Sequence, residues 1–248
     1  MRPQVSYSSA RSLAPPQPTQ RPPAPATPRP AANRLLASLH ADLQQRLNDL
    51  GSRVALQKSA VLIEAGAQHT HVYFPCSGLL SLQTMTQDGN SVEVAMVGRE
   101  GVTPPLAAIA GSPAAYTTSV TVAGEALRLR ADALQAACDR HPALQRAVWT
   151  HWQAVLSDIA LGSACHCFHT ARQRLARWLL TASDRIQSSH LELTHEQLAE
   201  VLGLQRTGVS VANVTLQEAG AISSRHGRIR IIDRARLQTV SCECYHKK

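Results

Sequence analysis

The chain has 248 residues, of which 44% are hydrophobic and 17% are charged, and its formal net charge is +8. This length suits two modest domains with cores of their own, and the positive charge favours a polyanionic partner. No apolar run approaches the ~18 residues of a membrane helix, and the N-terminus has no compact apolar signal segment. We therefore expect a cytoplasmic protein with reduced thiols and no membrane partner.

The first 32 residues hold nine of the fourteen prolines and four arginines, without a single acidic residue. Such a segment cannot bury enough apolar surface to fold, which predicts a disordered tail over residues 1–32. An organelle transit peptide is the alternative, but the prolines forbid the amphipathic helix that it needs. Leucines at three- and four-residue steps then predict a helix over Asn33–Leu50, ended by Gly51.

From Val54 to Leu129 the hydrophobic period shortens. Short β-rich runs such as "VYFP", "LLSLQTM" and "SVEVAMV" alternate with glycines at intervals of roughly ten residues, the pattern of an all-β roll or barrel. "QDGN" at residues 87–90 predicts a hairpin turn with Asp-Gly at its centre. We assign residues 33–140 to a β-roll domain.

A short helix is predicted over Ala131–Cys138, and a long one from His141–Pro142 to about residue 168. Its apolar stripe packs either on the roll of its own chain or on the same helix of a second chain, as in a coiled coil. We assign residues 141–168 to a dimerisation helix because the C-terminal element described next requires two copies. The expected dimer seam is Val148, Trp152, Val155 and Ile159.

A helix-turn-helix pattern follows a further predicted helix over Thr170–Ile186, within "LTHEQLAEVLGLQRTGVSVA". Thr194 and Gln197 have the spacing of a capping box at the first helix of the pair. Gly203 permits the positive φ of the tight turn, and apolar or small residues occupy the other diagnostic positions. Two stacked core helices with an accidental glycine would match only a few of these positions.

The outward face of the second helix carries the candidate base contacts. Gln205, Arg206 and Thr207 lie at its N-terminal end, with Ser210 and Val211 one turn later. Arg206 suits bidentate bonding to guanine, Gln205 suits adenine, and the Thr207 methyl suits thymine. A plain phosphate contact is the alternative for Arg206.

A basic hairpin follows the helix pair. His226–Gly227 is a two-residue turn between strands predicted over Ile222–Arg225 and Arg228–Ile232. Such a hairpin is a wing, whose arginines neutralise DNA phosphates, and the winged helix over residues 169–248 needs a symmetric dimer for specificity. The expected DNA-contacting residues are Thr194, Gln205, Arg206, Thr207, Ser210, Arg225, Arg228 and Arg230.

This α+β arrangement of β-roll, long helix and C-terminal winged helix-turn-helix resembles the cyclic-AMP-receptor/FNR (Crp/Fnr) family of bacterial transcription regulators over about residues 35–245. The motifs that carry the resemblance are "QRLARWLL", the helix-turn-helix sequence, "RIRIIDRARLQ", "VYFPCSGLLSL" and "VEVAMVGREG". The resemblance implies a roll like a cyclic-nucleotide-binding sensor domain, a homodimer on palindromic promoter DNA, and contact with RNA polymerase.

The chain departs from the family pattern in its roll. Cyclic-nucleotide-binding members hold the cyclic phosphate with an arginine followed by a small hydroxyl residue, but no Arg or Lys lies between Arg99 and Arg128 here. A phosphate buried without a charge partner costs several kcal/mol. We therefore expect no dependence on cyclic nucleotides. A pocket lined by Leu106, Ile109, Tyr116 and Val120 would either suit an apolar or neutral ligand or be filled by its own side chains.

The recognition helix departs as well. Typical family members carry a Glu and a second Arg where this chain has Thr207 and Val211. The recognised half-site should therefore differ from the family's best-known one.

The cysteines leave a second hypothesis open. The family's iron–sulfur branch uses cysteines near the N-terminus, and residues 1–75 contain none. In "CHCFH", Cys165 and His169 share one helical face at metal-binding spacing, but two ligands do not complete a site. "CEC", at Cys242 and Cys244, could supply the rest.

We therefore predict no cofactor and keep two alternative functions. One is a metal- or redox-responsive regulator that uses Cys165, Cys167 and His169. The other is a protein that coats DNA without sequence preference. No enzyme is expected, because the sequence has no phosphate-cradling glycine loop, HExxH or GxSxG.

Overall fold

The computed structural model describes residues 32–246, so the predicted tail lies outside the described residues apart from Ala32. The N-terminal half is a β-roll of two antiparallel sheets, with strand orders β1-β7-β3 and β2-β6-β4-β5. The strands are β1 Ser52–Leu56, β2 Val61–Ile63, β3 His71–Pro75, β4 Leu79–Met85, β5 Ser91–Val97, β6 Thr117–Val122 and β7 Gly124–Arg130. The predicted roll is confirmed.

The inward side chains of these strands form the roll core, as the β-branched and leucine-rich runs predict. Phe74, Leu82 and Leu127 are fully buried in it. The β4–β5 hairpin turns where "QDGN" predicts, with Gly89 at φ +81°. The sequence did not indicate β2, which has three residues, or the short helix α3, Pro105–Ala110.

The first helical segment is two helices, α1 Arg34–Ala37 and α2 Ala41–Leu50, where the sequence predicts one. The chain breaks after α1 because the Ser38 hydroxyl donates to the Leu35 carbonyl, at 2.7 Å, and takes up a helix-end acceptor. The predicted leucine stripe is buried except at its end, where Leu50 is 55% exposed.

Helices α4, Ala131–Arg140, and α5, Pro142–Phe168, lie where the sequence predicts them. The dimer seam assigned to α5 is wrong. Val148, Trp152 and Val155 are buried in the roll core of the same chain, and Ile159 packs against that core. Heptad spacing shows that one face of a helix is buried, but it does not show which molecule covers that face.

The C-terminal region is a winged helix-turn-helix followed by a short C-terminal helix pair. Its elements are α6 Ala171–Ile186, β8 His190–Glu192, α7 His195–Leu202, α8 Arg206–Glu218, β9 Ile222–Arg225, β10 Arg228–Ile231, α9 Arg234–Val240 and a 3-10 helix, Glu243–Tyr245. The predicted helices and the wing hairpin are confirmed, whereas β8, α9 and the 3-10 helix were not predicted. Strand β10 is central in the order β8-β10-β9.

The core of this region extends onto the roll. Leu79 of β4 and Met96 of β5 are buried in the same cluster as Leu175, Leu179 and Leu198 of the helices. The roll and the winged helix therefore share packed surface. Within the described residues, no helix is both long enough and apolar enough to cross a membrane.

Candidate nucleic-acid interface

The start of α7 and the turn between α7 and α8 are formed by a capping box and a glycine that the sequence predicts. The Thr194 hydroxyl accepts from the Gln197 amide at 3.2 Å, and the Gln197 side chain accepts from the Thr194 amide at 3.1 Å. Gly203 ends α7 at φ +56°, and a Cβ there would lie 3.0 Å from Val92 of the roll. The glycine therefore serves both the left-handed turn and the close approach to β5.

The N-terminal end of α8 projects from the protein. Gln205 is the N-cap of α8 but makes no capping hydrogen bond, so its side chain is available to a partner. Arg206 and Thr207 follow in the first turn, and both are exposed. The free amides and positive dipole of a helix N-terminus favour a nearby phosphate, which suits an end-on approach to DNA.

Ser210 is placed differently from these three residues. Its half-buried hydroxyl donates to the Arg206 carbonyl at 3.0 Å and lies 3.0 Å from His195 Nδ1. Ser210 thus joins α7 to α8. The next outward positions, Val211 and Val214, are 68% and 48% exposed, and they form an apolar strip that sequence reasoning only half recognised.

The wing has the geometry of a two-residue hairpin. His226 and Gly227 have φ values of 50° and 72°, as a turn with two left-handed residues requires. Arg225 and Arg228 are cross-strand partners, and both are exposed. Arg228 Nε lies 3.4 Å from Glu192 Oε1, but both side chains are largely solvated, so this ion pair is weak.

Thr194 connects the wing to the helix pair. A Cβ on Gly227 would lie 3.5 Å from Thr194 Cγ2, so the wing turn adjoins the N-cap of α7. Arg230 is exposed further along β10. The wing thus presents positive charge, and it lies next to the N-terminus of α7, while the N-terminus of α8 presents exposed hydrogen-bonding side chains.

Two domain profiles match the chain. A Crp-like helix-turn-helix domain matches residues 173–240, and a cyclic nucleotide-binding domain matches residues 53–141. The chain belongs to the Crp/Fnr family of transcriptional regulators. It is thus a Crp/Fnr-type regulator with a helix-turn-helix DNA-binding domain, in a family of regulators that are not enzymes.

Solved structures share the Crp/Fnr fold. FixK2 from Bradyrhizobium japonicum is 18% identical with a TM-score of 0.66, over 77% of this chain and 98% of that chain. A CRP-family regulator from Thermus thermophilus is 20% identical with a TM-score of 0.65, over 76% and 96%. The c-di-GMP responsive global regulator CLP from Xanthomonas campestris is 16% identical with a TM-score of 0.65, over 77% and 99%. Curated protein sequences give no significant match.

The roll contains a cavity of about 220 Å³ between α3, β6 and α5. Leu106 and Tyr116 line it as expected, but Ile109 and Val120 do not, and Trp152 of α5 contributes instead. Among the described residues, no Asp, Glu, Lys or Arg lines this cavity. It is therefore chemically unlike a pocket for a phosphate.

Three polar atoms on the cavity wall lack protein partners. Within the described residues, His69 Nδ1, Thr118 Oγ1 and Trp152 Nε1 are buried and make no hydrogen bond. Buried polar groups are almost always paired, so these three atoms are exceptions to that rule. The sequence does not indicate that these three residues meet, because they come from three distant segments of the chain.

Glu100, the acidic residue of "VGREG", turns away from this cavity. Its carboxylate accepts from the Gly98 amide at 3.0 Å and lies 3.3 Å from Arg185 Nε of α6. Arg185 also contacts Asp158 Oδ2 of α5 at 3.0 Å and donates to the Met96 carbonyl of β5. One arginine of the DNA-binding region thus holds the roll and the long helix together.

A buried acid reinforces the same contact. Glu93 of β5 accepts from Trp178 Nε1 at 2.8 Å and from the Ser81 hydroxyl at 2.6 Å. Burial raises the pKa of Glu93 to about 7, although both hydrogen bonds and nearby arginines act in the opposite direction. A lone acid in the apolar strand "SVEVAMV" was the available sequence signal.

From Ala147 to Phe168, the face of α5 that points away from the roll is exposed and carries no charge, whereas Arg146 is exposed immediately before it. Trp149 and Leu156 are each 55% exposed, and Phe168 is 82% exposed. The exposed residues between Ala147 and Phe168 are Trp149, Thr150, Gln153, Ala154, Leu156, Ser157, Ala160, Ser163, Ala164, Cys167 and Phe168. An uncharged surface on a long helix is typical of a protein–protein interface.

The structure unites part of the predicted metal set. Cys165 and His169 lie with Cys242 and Cys244, whereas Cys167 is exposed and outside this group. Cys242 and Cys244, which the sequence suggested only as additional ligands, complete a group of four potential metal ligands.

Proposed function

We propose that this Crp/Fnr regulator is a homodimer that binds a palindromic operator through the N-terminal end of α8 and the wing. The observation that carries the proposal is the joint exposure of Gln205, Arg206 and Thr207 at the N-terminal end of α8, where no capping hydrogen bond occupies the Gln205 side chain. Arg225, Arg228 and Arg230 hold phosphates, and Thr194 positions α7 against the DNA backbone. Ser210 acts chiefly between the helices.

The proposed division of labour follows the expected domains. Residues 33–140 form the sensor roll, residues 141–168 the dimerisation helix, and residues 169–248 the DNA-binding domain. Because the partner is promoter DNA, we expect the protein to act in the cytoplasm, without catalysis and with RNA polymerase as its family-implied partner.

The dimer forms through the exposed face of α5 and not through the seam that the sequence suggested. That face presents Trp149, Leu156 and Ala160 to solvent, with no charged residue among its exposed side chains from Ala147 to Phe168. Pairing two copies of this face removes apolar area from water and leaves no charge to desolvate.

A single substitution tests this interface. Trp149→Asp places a charge in it, and sedimentation should then show monomers where the parent protein is a dimer. Leu50→Asp is the matched control, because Leu50 is equally exposed, at 55%, but lies on α2. A Trp149→Asp protein that remained dimeric would move the interface elsewhere.

The regulator does not depend on cyclic AMP or cyclic GMP. The uncharged cavity supports this, because no Asp, Glu, Lys or Arg among the described residues lines it and it therefore offers a phosphate no cationic Lys or Arg. Calorimetry with either nucleotide at millimolar concentration should give no saturable heat. Micromolar binding that also tightened operator binding would restore a cyclic-nucleotide mechanism.

Selection of bound sequences from a random DNA pool tests the whole proposal. Enrichment should yield a palindrome whose half-sites are about 10 base pairs apart, centre to centre. Similar affinity for selected and random DNA would instead support the protein that coats DNA without sequence preference.

A further inference from the structure

Four potential metal ligands converge where the end of α5 meets the C-terminal segment. Cys165 and His169 come from the last turn and C-cap of α5, and Cys242 and Cys244 flank the start of the 3-10 helix. One ligand atom from each residue lies within 4.8 Å of every other. The chain therefore brings two short motifs, separated by more than seventy residues, onto one point.

The separations fit a single tetrahedral ion. Donors about 2.3 Å (sulfur) and 2.0 Å (nitrogen) from one zinc ion lie about 3.6–3.8 Å apart. Cys165 Sγ is 3.6 Å from Cys242 Sγ, and Cys244 Sγ is 3.7 Å from His169 Nδ1. An iron–sulfur cluster spreads its ligands around several metal atoms, so its sulfurs need wider spacing than the 4.8 Å limit found here.

The surroundings match those of a metal-binding histidine. The second ring nitrogen of His169, Nε2, lies 3.1 Å from Glu243 Oε2. A carboxylate on the far nitrogen fixes the tautomer that leaves Nδ1 free to bind a metal, and it orients the ring. His169 thus has one nitrogen pointed at the three thiols and the other held by an acid.

Burial and charge are also suitable. Cys165, Cys242 and Cys244 are 1%, 1% and 2% exposed, so water does not reach the thiols. Three thiolates and a divalent cation carry one net negative charge. Arg174 and Arg177 of α6 border Cys165, and their guanidinium groups offset that charge.

The C-terminal ligands are held in place independently of any metal. Tyr245, directly after Cys244, donates from its hydroxyl to Asp184 Oδ2 at 2.8 Å. Arg234 of α9 donates to Asp184 Oδ1 at 2.5 Å and to the Tyr245 hydroxyl at 2.6 Å. This triad ties the 3-10 helix to α6, so the cysteines meet α5 with little freedom left to lose.

We propose that Cys165, His169, Cys242 and Cys244 bind one zinc ion in a closed structural site. All four positions of the tetrahedron are filled by protein, so the site has no open position for substrate or water, as is typical of structural zinc. This inference replaces the expectation of no cofactor, and it does not include Cys167, which lies outside the group.

The site has a mechanical consequence for the regulator. The bound ion would link the last turn of α5 to the C-terminal end of the DNA-binding region. This link would be additional to the covalent connection between α5 and α6. Zinc therefore fixes the orientation of each winged helix relative to α5, and loss of zinc allows this orientation to vary. The consequence depends on the proposed function, but zinc binding does not.

Metal analysis of the full-length protein tests the proposal. The chain is purified in a non-chelating reductant without added metal, and metals are quantified by mass spectrometry. We expect one zinc per chain in the parent protein and background zinc in Cys165→Ser and Cys244→Ser. Cys167→Ser is the matched control, since it removes an exposed thiol from the same turn of α5, and it should keep one zinc.

Cobalt substitution covers the case in which the serine variants fail to fold. Exchange of Co²⁺ into the parent protein and into Cys167→Ser should give the visible bands of a tetrahedral cobalt–thiolate site. Glu243→Gln should keep these bands while weakening zinc affinity by at least about tenfold, because the histidine loses its orienting acid.

Each contrary result overturns the proposal. These are a protein that takes up no zinc even when Zn²⁺ is supplied under reduction, iron in place of zinc, a Cys165–Cys242 disulfide that persists in reductant, and loss of zinc from Cys167→Ser. All these readouts are independent of DNA binding, so failure of the zinc site leaves the DNA-binding proposal standing, and the reverse also holds.

Discussion

The surface proposed to face DNA and the contact between the roll and the DNA-binding region use charge in opposite ways. On the first, Arg206 and Arg228 are solvated, and the ion pair of Arg228 with Glu192 is exposed and weak. In the second, Glu93 and Arg185 are held by several hydrogen bonds and ion pairs away from water. Solvated charge is available to a partner, whereas buried charge holds one arrangement of the chain.

This difference predicts two separable classes of variant. Substitutions in the buried contact should change the free energy of unfolding, because they leave desolvated groups without partners. Substitutions on the DNA-facing surface should change DNA affinity and leave unfolding within about 0.5 kcal/mol of the parent.

The largest expected effect is that of Arg185→Ala. The Arg185 side chain is 13% exposed and bridges Glu100 and Asp158, which are then left facing each other's charge. Removing one member of such a set costs about 3 kcal/mol or more. Urea unfolding should show this loss, with Arg185→Lys intermediate because it keeps the charge but not the planar fork. An unchanged midpoint for Arg185→Ala would remove the distinction between the two surfaces.

The next effect is a pH dependence that comes from Glu93. Its folded pKa of about 7 lies above the ordinary value of 4.5, because burial outweighs the lowering by Ser81, Trp178, Arg185 and Arg177. Below pH 4.5 both folded and unfolded forms hold the proton. Between pH 4.5 and 7 only the folded form keeps it, so the free energy of unfolding falls as pH rises, by about 3 kcal/mol in total, and stays level above pH 7.

Glu93→Gln isolates this contribution. The amide keeps an acceptor for Trp178 and loses the ionisation, so the variant should match the parent near pH 4.5 and be more stable at pH 8. Glu125→Gln, on an exposed position of β7, controls for the loss of a carboxylate. Parallel pH profiles of unfolding for parent and Glu93→Gln would show that Glu93 titrates normally.

The same contrast separates what could be predicted from the sequence from what could not. Thr194, Gly203, Arg206 and the wing turn lie within about forty residues, and their capping and turn chemistry is local, so spacing alone places them. Glu93 and Trp178 are 85 residues apart, and Cys165 and Cys242 are 77 apart. No local pattern joins such pairs.

The long helix lies between these cases. Its limits, Pro142–Phe168, follow from proline and apolar spacing, but the choice of covering surface does not. The spacing of Trp152 and Val155 is compatible with a coiled-coil seam and equally with packing on the roll core, which is where these residues are buried. The opposite face, uncharged at its exposed positions from Ala147 to Phe168, is the surface that we propose for the partner, because the cores of interfaces are depleted of charged residues.

On the DNA-facing surface the larger expected effect is that of Arg206→Ala. If Arg206 contacts a guanine bidentately, its loss should cost about 1–3 kcal/mol on the selected operator and relax one base position. Competition binding against selected and random DNA measures the difference. Arg53→Ala removes an exposed arginine from β1 of the roll and should leave both affinities unchanged. Equal losses on both DNAs for Arg206→Ala would assign this residue to phosphate.

The smallest effect is expected from Arg228→Ala, on the wing. The Arg228 side chain is 80% exposed, and its only charge partner among the described residues is Glu192, at 69%, so unfolding should be unaffected. Loss of one phosphate contact should weaken operator and random DNA alike and reduce the slope of log affinity against log salt by about 1. Glu192→Gln should act in the opposite direction, because it releases Arg228 and removes a negative charge beside the phosphates. A loss for Arg228→Ala that was confined to the operator would place base recognition on the wing as well as on α8.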